Sequence, residues 1–142
     1  MIRQLAVFLE NKPGRLSALA ECLSNGGVNI RALSVAETKD YGVIRFIPDD
    51  PVKAKEALKA EGYAVIETEV LAVNVPDKPG GLASVTKLLA DAGINIEYAY
   101  ASVIRLGESA IVILQVDDKE KASQILKNAG IRLLSQEDVK EI

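Results

Sequence analysis

The chain has 142 residues, 49% of them apolar and 26% charged, with a net charge of −3 and no histidine. Lack of imidazole excludes histidine-based triads and His-bearing zinc sites, and a mildly acidic balance without a Lys/Arg run argues against nucleic-acid or anionic-membrane partners. A single cysteine, Cys22, excludes an intrachain disulfide and fits a reducing cytoplasm, and no apolar run approaches membrane-spanning length.

Met1 leads directly into a strand-like run without a signal-peptide pattern. Gln4–Leu9 reads as a strand that is apolar on both faces. Pro13 and Gly14 break it. From Arg15 the apolar positions Leu16, Leu19, Ala20 and Leu23 form a helical stripe, which Asn25-Gly26-Gly27 stops. Val28–Ala36 is expected as a second strand, Lys39–Gly42 as a turn and Val43–Ile47 as a third strand. Asp49-Asp50-Pro51 has the chemistry of a helix start, and the helix that follows buries Ala54, Ala57 and Leu58 before ending near Gly62. Tyr63–Thr68 is expected as a fourth strand.

The second half repeats this order. Val70–Val75 reads as a strand, Leu82, Val85 and Leu89 as the stripe of a helix, and Ala92-Gly93 as its stop. Ile94–Arg105 and Ala110–Val116 are strands around a turn at Leu106–Ser109. Asp117-Asp118 starts a helix with stripe Ala122, Ile125, Leu126 and Ala129. Ile131–Leu134 is expected as the last strand. Ser135 opens a short tail helix with Asp138 three residues on, as in a capping box.

The repetition is visible in the residues themselves. Asn11-Lys12-Pro13-Gly14-Arg15-Leu16 recurs about 66 residues later as Asp77-Lys78-Pro79-Gly80-Gly81-Leu82, and Gly27-Val28-Asn29-Ile30 as Gly93-Ile94-Asn95-Ile96. The duplication overrides the single-domain prior of a short chain and gives two domains, 1–68 and 69–142. Each has the strand order βαββαβ. That order predicts an α+β protein of two tandem ferredoxin-like domains, each an antiparallel four-stranded sheet with two helices on one face. The fold alone fixes no function.

The loops carry the candidate chemistry. First-turn helix amides lack internal partners and favour negative charge, and Gly14 and Gly80 let a ligand approach the backbone. A ligand α-carboxylate suits the amides of 14–16 and 80–82, and Asp77, with Asn11 more weakly, suits an ammonium group. Pro-Gly also punctuates turns that bind nothing, and Asn29 and Asn95 also serve as turn residues. Arg15 is either a carboxylate partner or a solvated cation. Tyr98 and Tyr100 share a strand face and either stack on a ligand or fill an interface. Cys22 reads as an inert small hydrophobe. The pairs Asp49-Asp50 and Asp117-Asp118 read as helix caps rather than catalytic or metal-binding carboxylates.

On the NKPGRL and DKPGGL loops, the GGVNI and AGINI segments and the βαββαβ order, the chain resembles a tandem pair of ACT domains, the small-molecule regulatory module of amino-acid metabolism. The resemblance covers roughly 3–68 and 69–134. It implies a non-catalytic protein without a cofactor that binds a free amino acid at ACT–ACT interfaces, between the loop of one domain and the second strand of its neighbour. Carried over residue by residue, it implies Asn11, Pro13, Gly14, Arg15, Leu16, Asn29 and Ile30 as ligand-binding, with Asp77, Pro79, Gly80, Gly81, Leu82, Asn95 and Ile96 in the second half. Asn11 departs from the usual aspartate and Arg15 faces Gly81, so the two sites are not expected to be equivalent. The alternative is a detached regulatory subunit of a biosynthetic enzyme such as acetolactate synthase. Strands apolar on both faces predict a homodimer. An RNA-binding module of the same topology is disfavoured, because the third strands hold only Phe46 as an aromatic. A metal chaperone of this fold would need a cysteine pair in the first loop.

Overall fold

The computed structural model describes residues 1–141, apart from the side chain of Leu106. The element order is β1 (Ile2–Glu10), α1 (Arg15–Asn25), β2 (Ile30–Glu37), β3 (Tyr41–Pro48), α2 (Pro51–Ala60), β4 (Val65–Pro76), α3 (Gly81–Asp91), β5 (Ile96–Leu106), β6 (Ser109–Val116), α4 (Lys119–Asn128) and α5 (Gln136–Glu141). The chain divides into two compact units, Arg3–Thr68 and Glu69–Ile142 with Met1–Ile2.

In the first unit β3 lies antiparallel between β1 and β2, with Val7 opposite Ile44 and Leu33 opposite Phe46. Alternation sorts the strand residues by face. Leu5, Val7 and Leu9 of β1 and Ile44 and Phe46 of β3 join Leu19 and Leu23 of α1 and Ala54 and Leu58 of α2 in one core. Both helices therefore cover the same face. Of the α1 stripe read from the sequence, Leu19 and Leu23 pack while Leu16 and Ala20 are exposed, and each fully buried leucine contributes about 2 kcal/mol of transfer free energy. α1 and α2 meet closely at Gly26, where a Cβ would stand 2.8 Å from that of Ala57. Cys22 sits in the same contact and donates its thiol to the Ala57 carbonyl at 3.4 Å.

The second unit repeats this plan. β6 lies antiparallel between β4 and β5. Leu71, Val73 and Val75 share a core with Val85 and Leu89 of α3 and Ala122 and Leu126 of α4. The strand faces turned away from the helices are apolar too. Ala6, Ala32 and Ile47 in the first unit, and Ala72, Ile111 and Ile113 in the second, are already buried in the single chain.

The aspartate pairs divide their work. Asp50 and Asp118 cap α2 and α4, accepting from the Lys53 and Lys121 amides at 3.1 Å. Asp49 and Asp117 do something else: each takes the backbone amide of Asn29 or Asn95 on its side chain, and donates its own amide back to that residue's carbonyl. Both bonds use the main chain of the asparagine, so they tie the α1–β2 and α3–β5 turns without consuming its side chain. Ser135 and Asp138 exchange two bonds, a complete capping box ahead of α5.

Two features differ from expectation, and a third concerns strand register. The strands expected at Tyr63–Thr68 and Val70–Val75 are one continuous β4, Val65–Pro76. No breaker separates them in the sequence, so nothing ends the extended run. The expected last strand, Ile131–Leu134, is reduced to a bridge between Val73 and Leu133, with amide bonds from Asn74 to Arg132 and from Leu134 to Ala72. The segment between Gly130 and the tail capping box is too short for a longer ladder. Finally, β2 and β5 each slip register one residue beyond the asparagine turn, between Ile30 and Ala32 and between Ile96 and Tyr98. Among the described residues no helix is long and apolar enough to cross a membrane.

A Cβ on Gly81 would collide with the Pro76 carbonyl oxygen. Gly81→Ala should therefore cost about 3 kcal/mol by urea unfolding, as an overpacked site does. Loss of the cap in Asp50→Ala should cost about 1 kcal/mol. An unchanged midpoint for Gly81→Ala would contradict the packing described.

Candidate functional site

The site is built on the two strand–loop–helix corners. In each, the chain leaves the strand, makes a tight turn and enters the helix through a glycine in the left-handed region, φ 86° at Gly14 and 84° at Gly80. A β-carbon at either would meet no neighbouring atom, so it is the backbone conformation that demands glycine. The two turns share their hydrogen bonds: Lys12 amide to Glu10 carbonyl and Lys78 amide to Pro76 carbonyl at 2.9 Å, then Arg15 to Lys12 and Gly81 to Lys78. No side chain caps α1 or α3. Among the described hydrogen bonds, the amides of Leu16 and Ser17, and of Leu82 and Ala83, have no acceptor. These are the free donors that an anion would meet.

Each loop is also strapped to the neighbouring hairpin. Asn11 donates its amide to Asp40 at 3.0 Å, and Asp77 to Glu108 at 3.1 Å. Beyond these shared bonds the corners diverge. In the first, Glu10 receives Lys12 at 2.9 Å and Arg15 at 3.5 Å, and the Lys12 hydrogen bond holds its carboxyl below the ordinary 4.5. The Asn11 side-chain amide reaches the Thr38 carbonyl at 3.5 Å. The cleft among Asn11, Arg15, Leu16, Val35 and Ile44 has a volume of about 80 Å³.

In the second corner the cleft is about 550 Å³ and is lined by Pro76, Asp77, Lys78, Arg105 and the hairpin tip Gly107–Ser109. Arg105 reaches Asp77 at 3.2 Å. The carboxylate expected to meet a ligand's ammonium group thus already holds a guanidinium, at a surface where such a pair is weak. Sequence reasoning missed Arg105, which lies 28 residues from Asp77. The β5–β6 and β4–β6 pairings together bring it there.

Each unit gathers its loop residues: Asn11, Pro13, Gly14, Arg15 and Leu16 at one corner, and Asp77, Pro79, Gly80, Gly81 and Leu82 at the other. It does not bring the turn residues to them. Asn29 and Ile30 follow the far end of α1, and Asn95 and Ile96 the far end of α3. Each of those helices has 11 residues, a rise of about 16 Å. Asn29 and Asn95 are exposed, while Ile30 and Ile96 pack on the cores. Gly81 is buried under Pro76, which accounts for its lack of a side chain without a ligand. Tyr98 and Tyr100 lie 6.5 Å apart with rings 15° from parallel. Burial pushes the Cys22 thiol up, and the Glu61 carboxylate pushes it further, as expected of an unreactive cysteine. Among the described residues no three acidic or cysteine side chains cluster in a metal-binding arrangement.

Two α+β units, each launching its first helix from a left-handed glycine without a side-chain cap, define a tandem domain pair. The chain belongs to the ACT domain pair family, whose model matches residues 1–142. Protein BT0572 from Bacteroides thetaiotaomicron has a similar structure, with 37% sequence identity and a TM-score of 0.92, covering 99% of this chain and 96% of that one. The ligand-free regulatory subunit of aspartate kinase from Thermus thermophilus is 20% identical with a TM-score of 0.63, covering 89% and 91%. A structure of aspartokinase α and β subunits gives 18% and 0.59, covering 90% and 91%. At those identities the likeness shows the fold alone. No curated protein matches the chain.

Hydrogen bonding from Lys12 and Lys55 lowers the carboxyl pKa of Glu10 and Glu67, and the Ser135 amide does so for Asp138. A pKa lowered in the folded state gives stability that is present above the unfolded value and lost as pH falls through the folded one. The melting temperature should accordingly drop on acidification below about pH 4.5, the ordinary glutamate value. Glu67→Gln should flatten that drop by lowering the melting temperature above about pH 4.5, where the carboxylate's partners are lost, and leave the acid side unchanged.

Proposed function

We propose that this chain is a non-catalytic regulatory protein of the cytoplasm that binds a free amino acid, with the uncapped helix corner as its head-group site. The observation that carries the reading is the doubled corner: both units keep a left-handed glycine, free first-turn amides and the same strap to the hairpin. Either corner offers a carboxylate the donors it needs. The corners are unequal. The second has Asp77 for the ammonium group, and it is the stronger candidate. There Asp77, Pro79, Gly80, Gly81 and Leu82 form the loop, and Asn95 and Ile96, at the far end of α3, enter the reading as contacts of a neighbouring ACT domain. Asn11, Pro13, Gly14, Arg15 and Leu16 form the counterpart in the first unit, and Asn29 and Ile30, at the far end of α1, enter the reading as contacts of a neighbouring ACT domain rather than of this corner.

In this reading the bound amino acid acts by shifting the population of packed states, and the change is passed to a second copy or to a partner enzyme of amino-acid metabolism. The Thermus thermophilus structure, a regulatory subunit of aspartate kinase by its description, shows this fold in a chain of similar length. A homodimer is supported by apolar side chains that remain exposed on the chain, among them Leu16, Leu33 and Val35 in the first unit and Leu82 and Val103 in the second.

A thermal-shift screen against the twenty amino acids tests the reading. A ligand at a hundred times its dissociation constant should add about 2.7 kcal/mol, a rise of several degrees. Asp77→Ala should abolish the rise. A flat screen on folded protein would remove the amino-acid reading. Light scattering at micromolar concentration should give twice the chain mass, and a monomer would refute the dimer.

A further inference from the structure

The first unit has a second notch. It lies at the end of β1, beside the Gly62–Ala64 segment, with a volume of about 280 Å³. Phe8, Tyr41 and Tyr63 line it, half of the four tyrosines and two phenylalanines in the chain. Phe8 is 57% exposed and Tyr41 59%, although exposed aromatic rings forgo the largest burial available to any side chain. Tyr63 packs against the core and floors the notch. Glu10 and Arg15, paired at 3.5 Å, are the charged groups of its lining.

The duplication supplies an internal control. Glu10 pairs with Tyr41 as Pro76 pairs with Ser109, and Phe8 with Val43 as Asn74 with Ile111. Tyr63 and Ile131 make the same amide bond to the helix before them. So Phe8, Glu10, Arg15, Tyr41 and Tyr63 correspond to Asn74, Pro76, Gly81, Ser109 and Ile131. The second unit folds on the same plan without one aromatic or charged side chain at these positions. The turn needs only the backbone of Tyr41, whose carbonyl accepts from Thr38. The fold therefore does not explain the exposed rings, and their gathering around an ion pair calls for an occupant.

We infer that this notch recognises the side chain of an aromatic amino acid seated at the first corner, with Phe8 and Tyr41 flanking its ring, and with the Glu10–Arg15 pair opening so that Glu10 takes the ammonium group and Arg15 joins the first-turn amides on the carboxylate. The inference rests on the amino-acid reading above and adds to it a ligand class and a second contact region. A zwitterion divides the pair without leaving a charge unmatched: Arg15 exchanges one carboxylate for another, and Glu10 exchanges one cation for another. A flat ring replaces water on the two exposed aromatic faces.

Isothermal titration of the whole chain with phenylalanine, tyrosine, leucine and 3-phenylpropionate tests it. Phenylalanine or tyrosine should bind, with leucine weaker by roughly tenfold. Phe8→Ala and Tyr41→Ala should each weaken the aromatic ligand by roughly tenfold, at unchanged melting temperature, because both side chains are exposed. 3-Phenylpropionate lacks the ammonium group and should bind several-fold more weakly. Equal or tighter binding of it overturns the amino-acid assignment of the notch. Binding of leucine alone, or aromatic binding that both alanine variants retain, overturns the inference and leaves the general reading standing. If no amino acid binds, both fall.

Discussion

The architecture depends on two backbone angles. A positive φ at Gly14 and at Gly80 turns the chain from strand into helix within a few residues, and it does so at a cost only glycine avoids. Because the residue ahead of each helix is left-handed and has no side chain, it supplies no capping oxygen of the usual kind. The helix heads stay open as a direct consequence of how the corner is made. Contrast α2 and α4, which begin at Asp50 and Asp118 and are closed by their own carboxylates. The same small unit thus contains one sealed helix start and one unsealed. The unsealed one faces a hairpin that is strapped to it through a single amide.

Much of this was legible in the chain. α1 runs from Arg15 to Asn25, where the apolar stripe and the glycine stop placed it, and Ser135 and Asp138 cap each other as their spacing implied. Local signals with a three- or four-residue period survive folding because the partners are neighbours in sequence. What was not legible depends on pairing across the sheet. Arg105 reaches Asp77 only through a hairpin whose register shifts between Ala101 and Arg105. The division of labour between Asp49 and Asp50 was hidden for the same reason, since Asp49 bonds to Asn29, 20 residues earlier. The length of β4 was missed because extended structure has no stop signal of its own when glycine and proline are absent.

Duplication lets each half serve as a reference for the other. Where both agree, as in the glycine corner, the asparagine turn with its aspartate and the register slip after it, the feature belongs to the fold. Where they differ, the difference has to be explained locally. Gly81 is explained by the Pro76 carbonyl above it, and that proline replaces Glu10 of the first half. Arg15, at the corresponding position of the first half, instead reaches the Glu10 carboxylate at 3.5 Å, so the two corners carry different charge patterns.

Gly26 bears on how the molecule ages. In an open chain, the Asn25-Gly26 dipeptide is the sequence most prone to deamidation, because an unhindered glycine nitrogen attacks the asparagine side chain and closes a succinimide. Here that nitrogen is held by the Cys22 carbonyl at 3.1 Å, at the end of a helix pressed against Ala57. Ring closure requires the bond to break and the last turn of α1 to unwind. Isoaspartate at position 25 would therefore accumulate at a rate set by the opening of that turn, which makes the dipeptide a chemical clock for local unfolding of the first unit.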